Sequence, residues 1–176
     1  MHLGELRSSN RLDRRGGPAN VRAVQTGSET DVLKLMLAFQ RLEMVRLASD
    51  LTEAQGRWRP HAEANSIAEL VSHLAWVERW WFESVFAGGP DLSADPLWPG
   101  FVAAADRPMS DLIASYMSAW QRSNEVWDSA NLDDEVQTKH GPTSLRWIVV
   151  HMIEETARHA GHADITRQMI DGLRAS

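Results

Sequence analysis

Four stretches of the chain place apolar side chains at intervals of three and four residues, the spacing of one buried helical face. The first predicted helix runs from about Glu29 to Leu51, with Val32, Leu35, Leu37, Phe39, Leu42, Val45 and Leu47 recurring mostly at that spacing. Ser28 or Thr30 can cap its start, because a hydroxyl there accepts a backbone N–H that the first turn leaves unpaired. A polar stretch from Thr52 to Asn65 follows, and Pro60 stops any helix within it. The second helix is predicted from Ser66, with Glu69 completing a capping box, to about Phe86, ahead of the stop signal Gly88-Gly89-Pro90. The third begins at Met109 or Ser110, carries Leu112, Ile113, Tyr116, Met117, Trp120 and Trp127, and fades near Asn131. His140-Gly141-Pro142-Thr143 reads as a turn. The fourth helix, capped by Thr143 or Ser144, runs to about Ile170 and ends at Asp171-Gly172. No strand-like alternation and no internal repeat are visible. The pattern predicts an all-α fold, a four-helix bundle. The segment from Gly88 to Pro108 is long for a bundle connection and predicts a lid or binding loop.

A chain of 176 residues suits one domain with one core, assigned to residues 29–176. No apolar run reaches the roughly 18 to 20 residues that span a bilayer. The polar stretch from Met1 to Glu29 has no signal-peptide core. The expectation is a cytoplasmic protein with no membrane partner. A net charge of -6 and a pI near 5.6 argue against nucleic acid as a partner, since neutralising phosphates needs a basic surface. Residues 1–28 hold Arg7, Arg11, Arg14, Arg15 and Arg22; they read as a disordered N-terminal arm or an overcalled start, with a nucleic-acid-binding arm as the lesser reading.

Cysteine is absent, which excludes disulfides, a protein thiolate nucleophile and any cysteine-based zinc site. A metal must then be held by histidine and carboxylate, and thiol chemistry must use a thiol from outside. The eight tryptophans read chiefly as large rings packed in the core.

The fourth helix carries the informative pattern. Its stripe Ile148, Met152, Glu155, His159, His162, Thr166, Met169 should face the core, yet its middle is Glu, His, His. A carboxylate on a core stripe costs several kcal/mol, to order of magnitude, unless it is paired or bound to a cation. Residues four apart on a helix lie about 6 Å apart along its axis, so Glu155 and His159 can reach one ion. His159 and His162 can as well. His151 lies about 12 Å of rise from His159 and is too far to share an ion with it. A third ligand must come from another helix. His73 is the candidate, on the apolar face of the second helix with Leu70, Val77 and Trp80, although a hydrogen-bonded core histidine reads the same way. His2, His61 and His140 fall in the arm or in loops. Asp164 and Arg167 fit an ion pair.

At these residues the chain resembles the DinB-like helical superfamily, in the branch similar to mycothiol-dependent maleylpyruvate isomerases and thiol S-transferases. The resemblance spans about Glu29 to Gly172. It is clearest in the run Ser72-His73-Leu74-Ala75-Trp76-Val77-Glu78-Arg79-Trp80-Trp81 and in the run from His151 to Asp164, which includes Glu154-Glu155-Thr156-Ala157-Arg158-His159-Ala160-Gly161-His162. It implies a four-helix bundle with a three-ligand metal site. Many relatives use three histidines, while the thiol-dependent branch uses His, Glu and His, which carries over to His73, Glu155 and His159. Zinc is the leading ion, with nickel or iron as alternatives. The implied activity is transfer of a low-molecular-weight thiol, mycothiol or similar, to an electrophilic small molecule. His162 or His151 would stand nearby, orienting the ligands or accepting a proton, with His162 also an alternative ligand, and Trp80 or Trp81 would line the substrate mouth with the Gly88–Pro108 loop. Relatives with isomerase activity add a C-terminal domain carrying a catalytic arginine; the sequence here stops at Ser176, so the expectation is S-transfer rather than isomerisation. Two rivals fit the same residues: a metal-dependent hydrolase, and a non-enzymatic helical binding protein in which Glu155 and His159 merely pair. A homodimer through exposed helix faces is the expected assembly.

Overall fold

The structure, a computed structural model, describes residues 27–92, 101 and 106–172, so the predicted N-terminal arm lies almost wholly outside the described residues. Four long helices make up the bundle. They are α1 (Glu29–Ala48), α3 (Ile67–Glu78) with its continuation as a π-helix (Arg79–Phe86), α4 (Met109–Asp128) and α5 (Leu145–Asp171). A short α2 (Glu53–Gly56) and a hairpin of β1 (Glu135–Thr138) and β2 (Gly141–Ser144) fill two of the connections. α1 packs along α5, and α3 packs along α4.

The helix starts follow local hydroxyl chemistry. Ser28 Oγ accepts the Asp31 N–H at 3.2 Å and Ser144 Oγ accepts the Trp147 N–H at 3.2 Å. At α3 the box is reciprocal: Ser66 Oγ accepts the Glu69 N–H at 3.3 Å, and Glu69 Oε2 accepts the Ser66 N–H at 2.8 Å. A second box, Thr52 with Gln55, nucleates α2 inside the stretch expected to be irregular. Gly172 ends α5 with φ 77°, a left-handed conformation that glycine adopts without strain.

Two features depart from the sequence reading. The second helix does reach Phe86, but its last two turns are π-helical. The wide turn closes through the Ala87 N–H to Phe82 O at 3.0 Å and the Gly89 N–H to Glu83 O at 2.9 Å. A Cβ on Gly89 would come within 2.7 Å of Glu83 O, so glycine is required there. The second departure is the β-hairpin, where no strand and only a turn was expected. β1 and β2 pair antiparallel, Glu135 with Ser144 and Thr138 with Gly141. Strands of four residues are too short for alternation to show, and Pro142 and Gly141 both weaken the strand signal.

The core forms two apolar clusters. One gathers Met44, Leu47, Leu70, Leu74, Leu112 and Tyr116. The other gathers Leu37, Val77, Phe82, Trp127, Ile148 and Met152. Between them along the helices sits a layer of buried polar groups. Arg41 of α1, one turn after Leu37 and one before Met44, is 3% exposed, and Glu78 of α3 is fully buried. Their contact is a two-pronged fork, with Arg41 Nε donating to Glu78 Oε1 and Nη2 to Oε2, both at 2.6 Å. Arg41 Nη1 also donates to Asn124 Oδ1 of α4 at 2.9 Å. The Tyr116 hydroxyl is buried on the same level; burial first, then the charge of Glu78, pushes its pKa far above the usual phenol value. At the C-terminal end, Arg167 is 5% exposed and caps α1 by donating to Leu47 O at 2.8 Å and Ser49 O at 2.6 Å. It also pairs with Asp171 of its own helix at 2.8 Å.

The tryptophans divide: Trp76 and Trp127 are core residues, whereas Trp58 is 41% and Trp147 51% exposed. Met169 is 62% exposed, so the stripe drawn on α5 leaves the core before its end. A strict 4-3-4-3 spacing averages 3.5 residues per turn and drifts about 20° per heptad from a straight helix, about 60° by that point. The buried face has moved to Ala160, Ala163, Thr166 and Arg167.

Arg41→Met leaves the Glu78 carboxylate buried without its partner and should cost about 3–5 kcal/mol in urea unfolding. Adding Glu78→Leu to that variant should recover most of the loss. The carboxyl of Glu69 is pushed up by burial, but Ser66 and Arg59 outweigh this and hold it below its ordinary value. That stability is fully present above the unfolded value, about 4.3, and is lost as the pH falls from there through the lower folded-state value. Glu69→Gln should therefore destabilise by about 0.5 kcal/mol at pH 7, with the deficit vanishing once the pH is below the lowered folded-state value in denaturant titrations.

Candidate metal centre

Residues of α3 and α5 meet between the helices at the level where the apolar stripe of α5 is interrupted. His73 enters from α3 and is 7% exposed; His159 enters from α5 and is 6% exposed. Glu155, one turn before His159, is half-buried. His73 Nε2 lies 3.0 Å from Glu155 Oε1, and His159 Nε2 lies 3.1 Å from that same oxygen. The two imidazoles stand edge to face with centroids 4.9 Å apart. All three potential ligand atoms lie within 4.8 Å of one another. Among the described residues this is the one group of three or more such side chains close enough to hold an ion.

The electrostatics prepare these groups as ligands. Hydrogen bonds from His159 and then His73 hold the Glu155 carboxyl well below the usual carboxylate range, against the opposing effect of burial. Burial pushes the His73 pKa down and favours the neutral ring, while Glu155 opposes it. An anionic carboxylate and a neutral imidazole are the protonation states that metal binding requires. The separations also fit. Donors on a tetrahedral zinc ion, with bonds near 2.0–2.1 Å, stand about 3.3 Å apart, and the two contacts to Glu155 are 3.0 and 3.1 Å. Each histidine buries its Nδ1 with no hydrogen-bond partner among the described residues. Arg158 approaches the other carboxylate oxygen of Glu155 at 3.4 Å, from the solvent side.

The proton-acceptor candidates stand outside this cluster. The His162 ring is 5.7 Å from that of His159 and is exposed. It lines a cleft of about 440 Å³ with Pro60, His61, Ile165 and Met169, which none of the three clustered residues lines. His151, one turn before Glu155, is half-buried and packed into aromatic rings: Trp147 stacks on it at 5.1 Å and Trp81 meets it edge-on at 5.2 Å. Burial pushes its pKa down, with Glu155 opposing. Trp80 contacts Trp81 at 4.5 Å, so the π-helical segment carries an aromatic wall that continues onto α5.

The sequence reading did not single out Phe101. Its ring stacks on His73 at 3.9 Å with 13° between the planes and also meets His159 at 5.3 Å. It belongs to the segment expected to form a lid, of which residues 93–100 and 102–105 lie outside the described residues. An aromatic in a Pro-, Gly- and Asp-rich stretch was the available signal, and Trp98 three residues earlier gave the same one.

The bundle has the DinB-type helical fold. The chain belongs to the mycothiol-S-transferase family, whose pattern it matches over residues 32–172. No curated protein matches it. Among solved structures, a conserved protein from Enterococcus faecalis has the same fold, with a TM-score of 0.66 at 15% identity, covering 82% of this chain and 98% of that one. Among the described residues, no helix is long and apolar enough to cross a membrane.

A divalent ion bound to the folded chain alone should stabilise it by mass action. With zinc free at about 100 times its Kd, the unfolding free energy should rise by about 2.7 kcal/mol. The gain should vanish in both His73→Ala and His159→Ala and persist in His162→Ala. Chemical denaturation with zinc or a chelator reads all four proteins, and an undiminished gain in His73→Ala would remove α3 from the ligand set.

Proposed function

We propose that this protein is a metal-dependent thiol S-transferase, joining a low-molecular-weight thiol of the mycothiol type to an electrophilic small molecule. The observation that carries the reading is the shared oxygen: two imidazole Nε2 atoms from different helices converge on Glu155 Oε1 at 3.0 and 3.1 Å. Membership of the mycothiol-S-transferase family supports the thiol. The lack of any cysteine agrees with a sulfur nucleophile that arrives from outside.

His73, Glu155 and His159 would hold the ion, with zinc preferred for two imidazoles and one carboxylate and with nickel or iron as alternatives. A cation in such a site supplies Lewis acidity that lowers the pKa of a thiol brought to its open side. Glu155 contributes a negative charge that keeps the donor set from carrying an excess of positive charge. His73 and Glu155 together tie α3 to α5, so the reacting groups are positioned by the bundle rather than by a loop. Phe101 covers His73 and excludes water from that side. The thiol proton passes to His162 or His151. The sulfur then forms a C–S bond to the electrophilic carbon, and the displaced group leaves with the electron pair of the bond it loses. The rings of Trp80, Trp81 and Trp147 provide an apolar wall for the electrophile beside this centre.

The test uses metal-loaded protein, mycothiol and an alkyl halide whose conjugate is followed by mass spectrometry. Conjugation should require both thiol and metal and should be abolished in His73→Ala and His159→Ala. Loss of the proton acceptor should lower kcat about 100-fold, which identifies whether His162→Ala or His151→Ala removes it. Turnover without a thiol would convert the reading to a hydrolase. A fully loaded protein that conjugates nothing, or one that takes up no metal at all, would leave the Glu155 cluster as a structural hydrogen-bond node.

A further inference from the structure

The second helix has another polar face. Ser72, Trp76 and Arg79 recur at four and three residues and share a side of the helix about 100° around from His73. They line a cleft of about 350 Å³, within the range of small-molecule sites. Ser115, Ser118 and Arg122 of α4 form the facing wall, and Arg107 stands just before that helix. None of His73, Glu155 or His159 lines this cleft.

Three guanidiniums, from Arg79, Arg107 and Arg122, face the cleft against a single carboxylate, Glu83, on a chain whose net charge is -6. The guanidiniums are held in place. Glu83 Oε1 accepts from Arg122 Nε at 2.8 Å and lies 3.8 Å from Arg79 Nε, which brings both forks to one point. Arg122 Nη1 donates to Ser118 Oγ at 2.6 Å. Arg107 Nη2 donates to Ser115 Oγ at 2.5 Å and to Asp111 O at 3.2 Å. These bonds leave Arg122 Nη2, and Arg107 Nε and Nη1, with no partner among the described residues. The floor is built as well, with Ser72 at 7% and Trp76 at 6% exposure. Planar forks with spare donors, fixed by their own side-chain partners, match the geometry of a carboxylate or phosphate group.

We propose that this cleft is a second binding site, for a small molecule carrying an oxyanion, either a carboxylate or a phosphate ester, that Arg79, Arg107 and Arg122 recognise. An apolar part of the ligand would rest on Trp76. The site does not depend on the metal reading, because it shares no residue with that centre.

Calorimetric titration of the full chain with inorganic phosphate and, separately, with succinate tests this at constant ionic strength. The expected result is saturable binding of at least one probe, weakened at least tenfold in Arg79→Gln and Arg122→Gln and less in Arg122→Lys, which keeps the charge but not the fork. The arm that saturates assigns the group as phosphate or carboxylate. Arg79 and Arg122 are 37% and 40% exposed, so these variants should keep their circular dichroism. Arg146→Gln, at a half-buried arginine paired with Glu29 and Asp133 away from the cleft, should bind as wild type does. Binding should also survive chelation of any metal. No saturable binding of either probe, equal binding in the cleft variants, equal weakening in Arg146→Gln, or loss of binding on chelation would each overturn the proposal.

Discussion

The bundle depends on a charge pair in the middle of its core. Arg41 and Glu78 meet through two parallel hydrogen bonds of 2.6 Å with essentially no exposure. Such a pair is rarely the most stable filling for its volume, since desolvating two charges offsets most of their attraction. What it fixes is register. A fork accepts one alignment of α1 against α3, and the third donor, to Asn124, fixes α4 to the same level. Apolar side chains on their own would tolerate sliding and rotation in a way that a fork does not. The two apolar clusters above and below this level are therefore held at a set height.

That height decides what happens one turn away. Glu78 is the last residue of α3 before the π-helix, and His73 lies five residues earlier on the same helix. On the opposite helix, Thr156 is fully buried beside Glu155, between Met152 of one cluster and Ala160 of the other. Fixing α3 through Glu78 brings His73 Nε2 to hydrogen-bonding distance of a carboxylate on α5. A slip of one residue along a helix is 1.5 Å of rise and 100° of rotation, enough to turn His73 away altogether. The convergence of two imidazoles on one oxygen is thus a product of the polar layer as much as of the three side chains themselves.

Much of this was legible in the sequence, for physical reasons that differ by feature. The starts of α1, α3 and α5 could be read because a cap is a local contact, made by Ser28, Ser66 and Ser144 with residues three positions on. Glu155 and His159 could be paired because helical geometry alone puts residues four apart on one side. His73 could be named as a candidate from its place on an apolar helix face, but a hydrogen-bonded core histidine reads the same way there, and only the tertiary structure brings it within 3.0 Å of Glu155. Arg41 went unread although it interrupts the buried run Leu37, Met44, Leu47, because a single arginine on a helix reads equally well as solvated. The π-helix left no mark in the apolar spacing, and a hairpin of two four-residue strands offers too few alternations to register. Met169 was misplaced for a cumulative reason: small angular drift is harmless over Glu155 to His159 and large over three heptads.

One helix therefore presents two kinds of polar chemistry on different sides. Towards α5, α3 offers an imidazole whose burial favours its neutral form beside an anion. Towards α4, the π-helical extension offers the guanidinium of Arg79, which faces the cleft with Arg122 and Arg107. An imidazole–carboxylate cluster and a set of guanidiniums so close in sequence would interfere if they shared a face, because Arg79 would compete with the histidines for Glu155. The helical rotation separates them, and the apolar packing of Leu74, Val77 and Trp76 into the core keeps solvent and counter-charge from crossing between the two sides. The π-helical segment extends this division: Trp80 and Trp81 carry an aromatic wall towards α5, while Glu83 remains on the α4 side to hold Arg79 and Arg122 together.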